Sequence, residues 1–169
     1  LKFNDINGGS ATYLVSHASS NFKINSKKIK QIIQNEQKKG ITKIKKYKSF
    51  FNRIKKSKKK LINLLENLKK KGYTIHGYGA STKGNVLLQF YGINHHLLDY
   101  ISERNPQKYN LYPAGSSIKI ISEKKSRMLK PDYYLVLPWH FKNEILKRES
   151  YIRRKGTKFI FPLPKLEVI

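Results

Sequence analysis

The chain has 169 residues, 38% of them hydrophobic, and a formal net charge of +26. That length can bury one sizeable core, and the absence of cysteine excludes a disulfide framework or a thiolate metal site. No apolar run approaches a bilayer span, no signal-peptide core opens the chain, and the five histidines show no H-x-x-x-H spacing, so a cytoplasmic protein with no membrane partner and no metal is expected.

The sequence begins on Leu1 rather than methionine, as expected of a piece of a longer polypeptide. Its opening, NGGSATYLVSH (7–17), reads as a turn and then a strand with Tyr13 and Val15 alternating. Ser26 is a suitable N-cap for a helix over 27–39, whose Ile29, Ile32 and Ile33 form a narrow apolar face, and Gly40 suits its end. A longer helix is expected from about Thr42 to Lys71. Its apolar residues, from Ile44 through Leu68, recur at three and four, and Gly72 stops it.

Charge is concentrated in this arm. Residues 23–71 hold 19 Lys or Arg against Glu36 and Glu66, so +17 of the +26 falls there. Such a stretch can be the electrostatic footprint of a nucleic-acid-binding module. However, 30 of the 36 basic residues are Lys, and arginine, the better reader of phosphates and bases, numbers six. Ile (19) and Asn (13) are abundant too, and Lys, Asn and Ile are what AT-rich codons supply. The lysines are read as a solvated helix face, and nucleic acid is not the expected partner.

After Gly72 strands and helices alternate. YTIHGYG (73–79), LLDYIS (97–102), SIKIIS (117–122), YYLVLP (133–138) and TKFIFPLP (157–164) read as strands. TKGNVLLQFYG, EKKSRMLK and FKNEILKRESYIRRKG read as helices. The alternation predicts an α/β fold, a Rossmann-like parallel sheet flanked by helices and preceded by the lysine-rich helical arm. Three segments are expected: 1–17 as the tail of a preceding domain, 18–71 as a basic arm packed on the domain, and 72–169 as the Rossmann-like domain.

Ligands of such sheets sit beyond the carboxyl ends of the strands. HGYGASTKGN (76–85) is the first loop there, with glycines spaced G-x-G-x-x-x-x-G, matching neither the dinucleotide fingerprint nor the P-loop. Gly77, Gly79 and Gly84 allow close backbone approach. Amides from Gly79 through Ala80 to Asn85, the hydroxyls of Ser81 and Thr82, and the charge of Lys83 suit a phosphate. A tight turn with an N-cap and an incidental lysine would look the same. Glu103 ends the second strand, where a Rossmann domain grips a ribose hydroxyl, so an NAD(P)-dependent oxidoreductase is a rival reading. The long loop that follows carries Asn105 and Lys108, and its length marks it as functional or as an insertion. Past the strand ending at Leu137, Trp139 can stack on a base or sugar, and His140 can donate to a phosphate or act as a base; equally, Trp139 can pack on the following helix with His140 as a polar cap.

GYGASTKGNVLLQFYGI (77–93), ERNPQKYNLYPAGSSIKI (103–120), PDYYLVLPWHFKNEIL (131–146) and GTKFIFPLPKLEVI (156–169), in this order, resemble the C-terminal domain of the nucleotide-sugar C-methyltransferases. NGGSATYLVSH resembles that family's H-G-G-S-[LM]-R segment, at the end of its methyltransferase domain. The resemblance covers nearly the whole chain, least specifically at 18–71, and rests on the combination of GxGASxKGN, NPxKxxxxPxGxxI and LPWxFxxEI.

The resemblance implies an enzyme that uses S-adenosylmethionine to methylate a carbon beside the keto group of a nucleotide-diphosphate deoxysugar, through proton abstraction and attack of the enolate on the methyl group. It implies that the methyl donor, a zinc site and the catalytic base belong to upstream domains outside this chain, which alone is then inactive. This chain would contribute a nucleotide-sugar site from residues 77, 79–85, 103, 105, 108, 139 and 140. Asn7 stands where the family has its leading histidine, and the family's arginine is replaced within ATY.

Overall fold

The computed structural model describes residues 1–169, the side chain of Asn7 excepted, so the departure at that position lies outside the described residues. The chain divides into two compact units, 1–54 and 55–169.

In the first unit, β1 (Lys2–Asn4) pairs antiparallel with β2 (Ser10–Thr12) across a 3-10 turn at Ile6–Gly8. The strand expected around Tyr13 and Val15 therefore lies earlier. The N–H groups of Gly8 and Gly9 bond back to Asp5 and Ile6, and the reversal they close pairs Ser10–Thr12 instead. Helix α1 (Ser26–Lys38) is capped by Asn25, not Ser26: the Asn25 carbonyl oxygen accepts the Lys28 N–H at 3.0 Å. Its C-terminus closes as a Schellman turn, with Gly40 N–H on the Gln37 carbonyl and Ile41 N–H on that of Glu36. Helix α2 (Ile44–Lys70) begins two residues later than expected, and the boundary between the units falls within it. No described side chain of residues 1–54 is buried.

The second unit is built on a six-stranded sheet of order β5-β4-β3-β6-β7-β8. These strands are β3 (Ile75–Tyr78), β4 (Tyr100–Glu103), β5 (Ile120–Ser122), β6 (Tyr133–Val136), β7 (Lys158–Phe161) and β8 (Glu167–Val168). The first five run parallel, giving the Rossmann-like α/β fold the alternation predicted, and β8 adds an antiparallel edge. β8 escaped the sequence reading because two residues carry no alternation to detect. The chain builds outward from β3 through β4 to β5, then returns to β3's other side at β6. The gap between β3 and β6 is therefore the topological switch point.

The C-terminal part of α2 is anchored here by Leu61, Leu65 and Leu68, all buried. Fully burying such a leucine contributes about 1.5–3 kcal/mol. Lys69 pairs with Asp99 at 2.8 Å, and the other Asp99 oxygen accepts the Ile75 N–H, tying α2 to the start of β3. α3 (Thr82–Tyr91) follows β3, and α4 (Glu123–Met128) joins β5 to β6. The last predicted helix is two, α5 (Lys142–Arg148) and α6 (Ser150–Arg154), broken at Glu149. That residue, 1% exposed, turns its carboxylate inward to Tyr78, Arg127 and Arg148. Tyr78, Tyr134, Val136, Ile145, Phe159 and Phe161 form the core beneath it.

Candidate functional site

At the carboxyl end of β3 the three glycines have separate packing tasks. A Cβ on Gly77 would meet Ile101 Cγ1 at 2.9 Å, and one on Gly84 would meet Leu137 Cβ at 2.5 Å. Gly84 thus lets the first turn of α3 lie directly on the strand end. Gly79 has φ of +80°, the left-handed conformation the turn requires. Ser81 caps α3, its hydroxyl accepting the Gly84 N–H at 3.0 Å.

The amides expected to cradle a phosphate are largely committed within the protein. Gly79 N–H donates to the Ser102 carbonyl, Ser81 N–H to that of Gly79, and Asn85 N–H to that of Ser81. Ala80 N–H donates to Glu103 at 2.7 Å. Backbone donors therefore shape this loop more than they offer themselves to an anion.

Glu103 stands at the end of β4 as expected, but its carboxylate is turned onto backbone. One oxygen accepts the N–H groups of Arg104 and Asn105, the other that of Ala80, and Lys108 Nζ lies 3.9 Å away. Burial works against ionisation, yet those three donations and the Lys108 charge outweigh it, holding the carboxyl below its ordinary value. Lys108 also donates to the Ala80 carbonyl at 2.8 Å, so one carboxylate and one ammonium lock the first two loops together. Asn105 accepts the N–H of Gln107 and caps the 3-10 turn Pro106–Lys108.

Two cavities open at this edge, both lined by Ala80, Ser81 and Lys108. The larger, about 500 Å³, extends towards α4 and α5, where Tyr78, Glu123, Glu144 and Arg148 line it, and Gly79, Glu103, Arg104 and Lys108 line it from the loops. The smaller, about 270 Å³, lies against α3 and is reached by Thr82 and Asn85. Of the sequence-derived candidates, Gly77, Lys83, Gly84, Asn105, Trp139 and His140 line neither.

Trp139 is partly buried and packs against the core cluster that includes Ile145. His140 has a buried Nδ1 with no hydrogen-bond partner among the described residues. Its pKa is lowered by burial first and by the nearby Lys83 charge second, against the pull of Glu144, which favours the neutral imidazole.

A polar network beneath the larger cavity went unread in the sequence. Tyr78 OH donates to Glu149 at 2.7 Å and accepts from Arg148, whose guanidinium also reaches Glu149 at 2.9 Å and Glu123 at 2.7 Å. Arg127 grips both Glu149 oxygens, at 3.0 and 3.1 Å. Burial and the bond to Glu149 raise the Tyr78 pKa, so the phenol stays protonated. The available signal was arginine's scarcity: of six in the chain, Arg104, Arg127 and Arg148 gather at this site.

Among the described residues no helix is long and apolar enough to cross a membrane. A family model described as the C-methyltransferase C-terminal domain matches residues 5–164. The chain is also 30% identical over 165 residues to the C-methyltransferase NovU of Streptomyces niveus. That alignment covers 98% of this chain and 39% of the relative, so the chain spans about two fifths of the relative's length.

Proposed function

Because the chain belongs to the C-methyltransferase family through that family's C-terminal domain, we propose that it holds the nucleotide sugar for an S-adenosylmethionine-dependent sugar C-methyltransferase. One observation carries this reading. Two unequal cavities share Ala80, Ser81 and Lys108 in their walls, and Arg104 also lines the larger. A ligand filling both has two bulky halves joined by a narrow, negatively charged middle. A base and a sugar joined through a diphosphate have that form.

The methyl donor does not fit this donor set. An acidic residue ending the second strand is where ribose hydroxyls are held in dinucleotide-type sites, and here Glu103 is spent on three backbone N–H groups. Methyl transfer is therefore assigned to residues outside this chain, which contributes positioning. Fixing the substrate on a rigid sheet edge supplies much of the entropy that a two-substrate reaction must otherwise lose at its transition state. A donor from Arg148, with acceptors from Glu123 and Glu144, suits the hydroxyl and keto groups of a sugar.

Calorimetric titration with a nucleoside-diphosphate sugar tests the reading. Saturable binding is expected, weakened by Lys108→Met and by Lys83→Ala, whose charge lies near the same loop. Equal affinity in both variants, or stabilisation by NAD or NADP and none by nucleotide sugars, overturns it.

A further inference from the structure

The walls of the smaller cavity are not equally fixed. Leu88, Ile101, Ile120 and Leu137 line it and are all but fully buried, held in place by α3 and the sheet. Pro113 lines it too, but belongs to the loop between β4 and β5. That loop is fastened at both ends. On one side Asn110 N–H donates to the Ile120 carbonyl and Ile120 N–H to that of Leu111, both at 2.9 Å. On the other, Ser116 and Ile118 are buried. Between these anchors lie Tyr112, Pro113, Ala114 and Gly115, none of them buried. Among the described residues one hydrogen bond joins this segment to another element: the side-chain amide of Gln89, on α3, donates to the Ala114 carbonyl at 2.8 Å. Gln89 also packs against Gly115, where an added Cβ would meet its Cγ at 3.3 Å. Asn110, Gly115 and Ser117 all have left-handed backbone, with φ of 64°, 75° and 53°. Loop positions of this kind, flanking a short segment, are where hinge motion is absorbed.

We infer that residues 112–115 are a strap that opens to admit the ligand and closes on it, with Gln89 as the positioning residue that latches it shut. The inference rests on the nucleotide-sugar reading above and adds how the ligand enters and is kept. The Gln89–Ala114 bond is solvent-exposed, and one such bond shifts an equilibrium by a factor of about 2–12. A latch of that strength keeps the strap mostly closed, yet lets it open without disturbing the sheet or α3. The anchors at Asn110–Leu111 and Ser116 lie outside the segment, so they hold its ends while it moves. Pro113, with its fixed φ, limits the conformations the open strap explores and brings the same wall back on closing. A ligand lying against Pro113 favours the closed strap. The coupling is reciprocal, so a weakened latch must weaken the ligand, by at most the factor the latch contributes.

Hydrogen–deuterium exchange and calorimetry with dTDP-glucose test this in the wild-type protein, Gln89→Met and Gln89→Lys, each checked for folding by circular dichroism. Methionine keeps the packing against Gly115 but cannot donate, whereas lysine keeps a donor. In the wild type, saturating dTDP-glucose is expected to slow exchange in the peptide covering 112–116. In ligand-free Gln89→Met that peptide should exchange about 2- to 12-fold faster, while peptides from β3 and β4 keep their rates. Affinity for dTDP-glucose should fall in Gln89→Met within the same range, and Gln89→Lys should recover both properties. If dTDP-glucose binds the wild type without slowing exchange at 112–116, or Gln89→Met leaves that exchange unaltered, the strap is wrong and the nucleotide-sugar reading stands. If dTDP-glucose does not bind the folded wild-type protein, both fall.

Discussion

The Glu103 carboxylate accepts the Ala80 N–H at 2.7 Å, fastening the end of β4 to the turn that follows β3. With Arg104 and Asn105 also donating to it, the residue positioned to grip a ribose is instead a clamp between two loops. In Glu103→Gln one carboxylate oxygen becomes an amide that cannot accept. Loss of about 1–3 kcal/mol is expected in urea denaturation, because at least one part-buried N–H is stranded. Ligand affinity should fall with it, and NAD or NADP should not raise the melting temperature of the wild-type protein. A variant as stable as wild type would show that the clamp carries no weight.

His76 gives the fold a pH dependence. It is 2% exposed, bonded through Nδ1 to Ser126 Oγ at 2.8 Å, and its pKa is pushed down to about 4, chiefly by burial, with Asp99 opposing and Lys69 assisting. The unfolded chain, with an ordinary histidine near 6.5, binds the extra proton first. Stability from this residue is therefore full above about pH 6.5 and is lost as pH falls towards 4, by about 3 kcal/mol over that window. Denaturant midpoints at pH 7 and pH 4.5 should converge for His76→Gln relative to wild type. Parallel pH profiles would refute the assignment.

At Gly84 two effects compete. Alanine favours a helix over glycine by about 1 kcal/mol. Its Cβ, however, would lie 2.5 Å from Leu137 Cβ, an atom fixed close to the backbone of the switch-point loop. Overpacking of that kind costs about 1–3 kcal/mol, so Gly84→Ala should be destabilised overall and should loosen ligand binding by shifting the start of α3. A thermal melt at or above wild type would contradict this.

The network under the larger cavity should respond unequally to loss of its members. Glu149 is 1% exposed, whereas the side chains of Arg127 and Arg148 are 45% and 37% exposed and can turn to water. Removing both arginines strands a buried carboxylate, for which about 3–5 kcal/mol is expected. Glu149→Gln leaves no buried charge and should cost less. Urea midpoints of Arg127→Met/Arg148→Met below those of Glu149→Gln are the predicted order, and the reverse order would mean that Glu149 acts mainly through helix geometry.

Much of the fold could be read locally. Periods of three and four mark α1 and α2, because side-chain direction repeats with the backbone of a helix, and an unbroken apolar run marks β6. The parallel sheet followed from the alternation, as did which loops lie at its carboxyl edge. Where local reading went astray, the cause was a neighbouring residue at two points and a long-range contact at the third. Asn25 rather than Ser26 reached the free N–H groups of α1, the Gly8–Gly9 reversal drew β2 forward, and Glu149 broke one helix into two.

By itself, then, the sequence determined the elements, their alternation, the glycine loop and the family motifs. These are encoded in spacings of a few residues, over which chain geometry is nearly rigid. Only the tertiary structure decided which partners that loop bonds to. Its amides are turned inward, Glu103 crosses 23 residues to hold Ala80, and Tyr78 meets Glu149 across 71. Such pairings depend on which strands become neighbours at the switch point, and no local periodicity encodes that choice. The two cavities on either side of Ala80 and Ser81 exist for the same reason, since β4, β6, α3 and α5 enclose them only once packed.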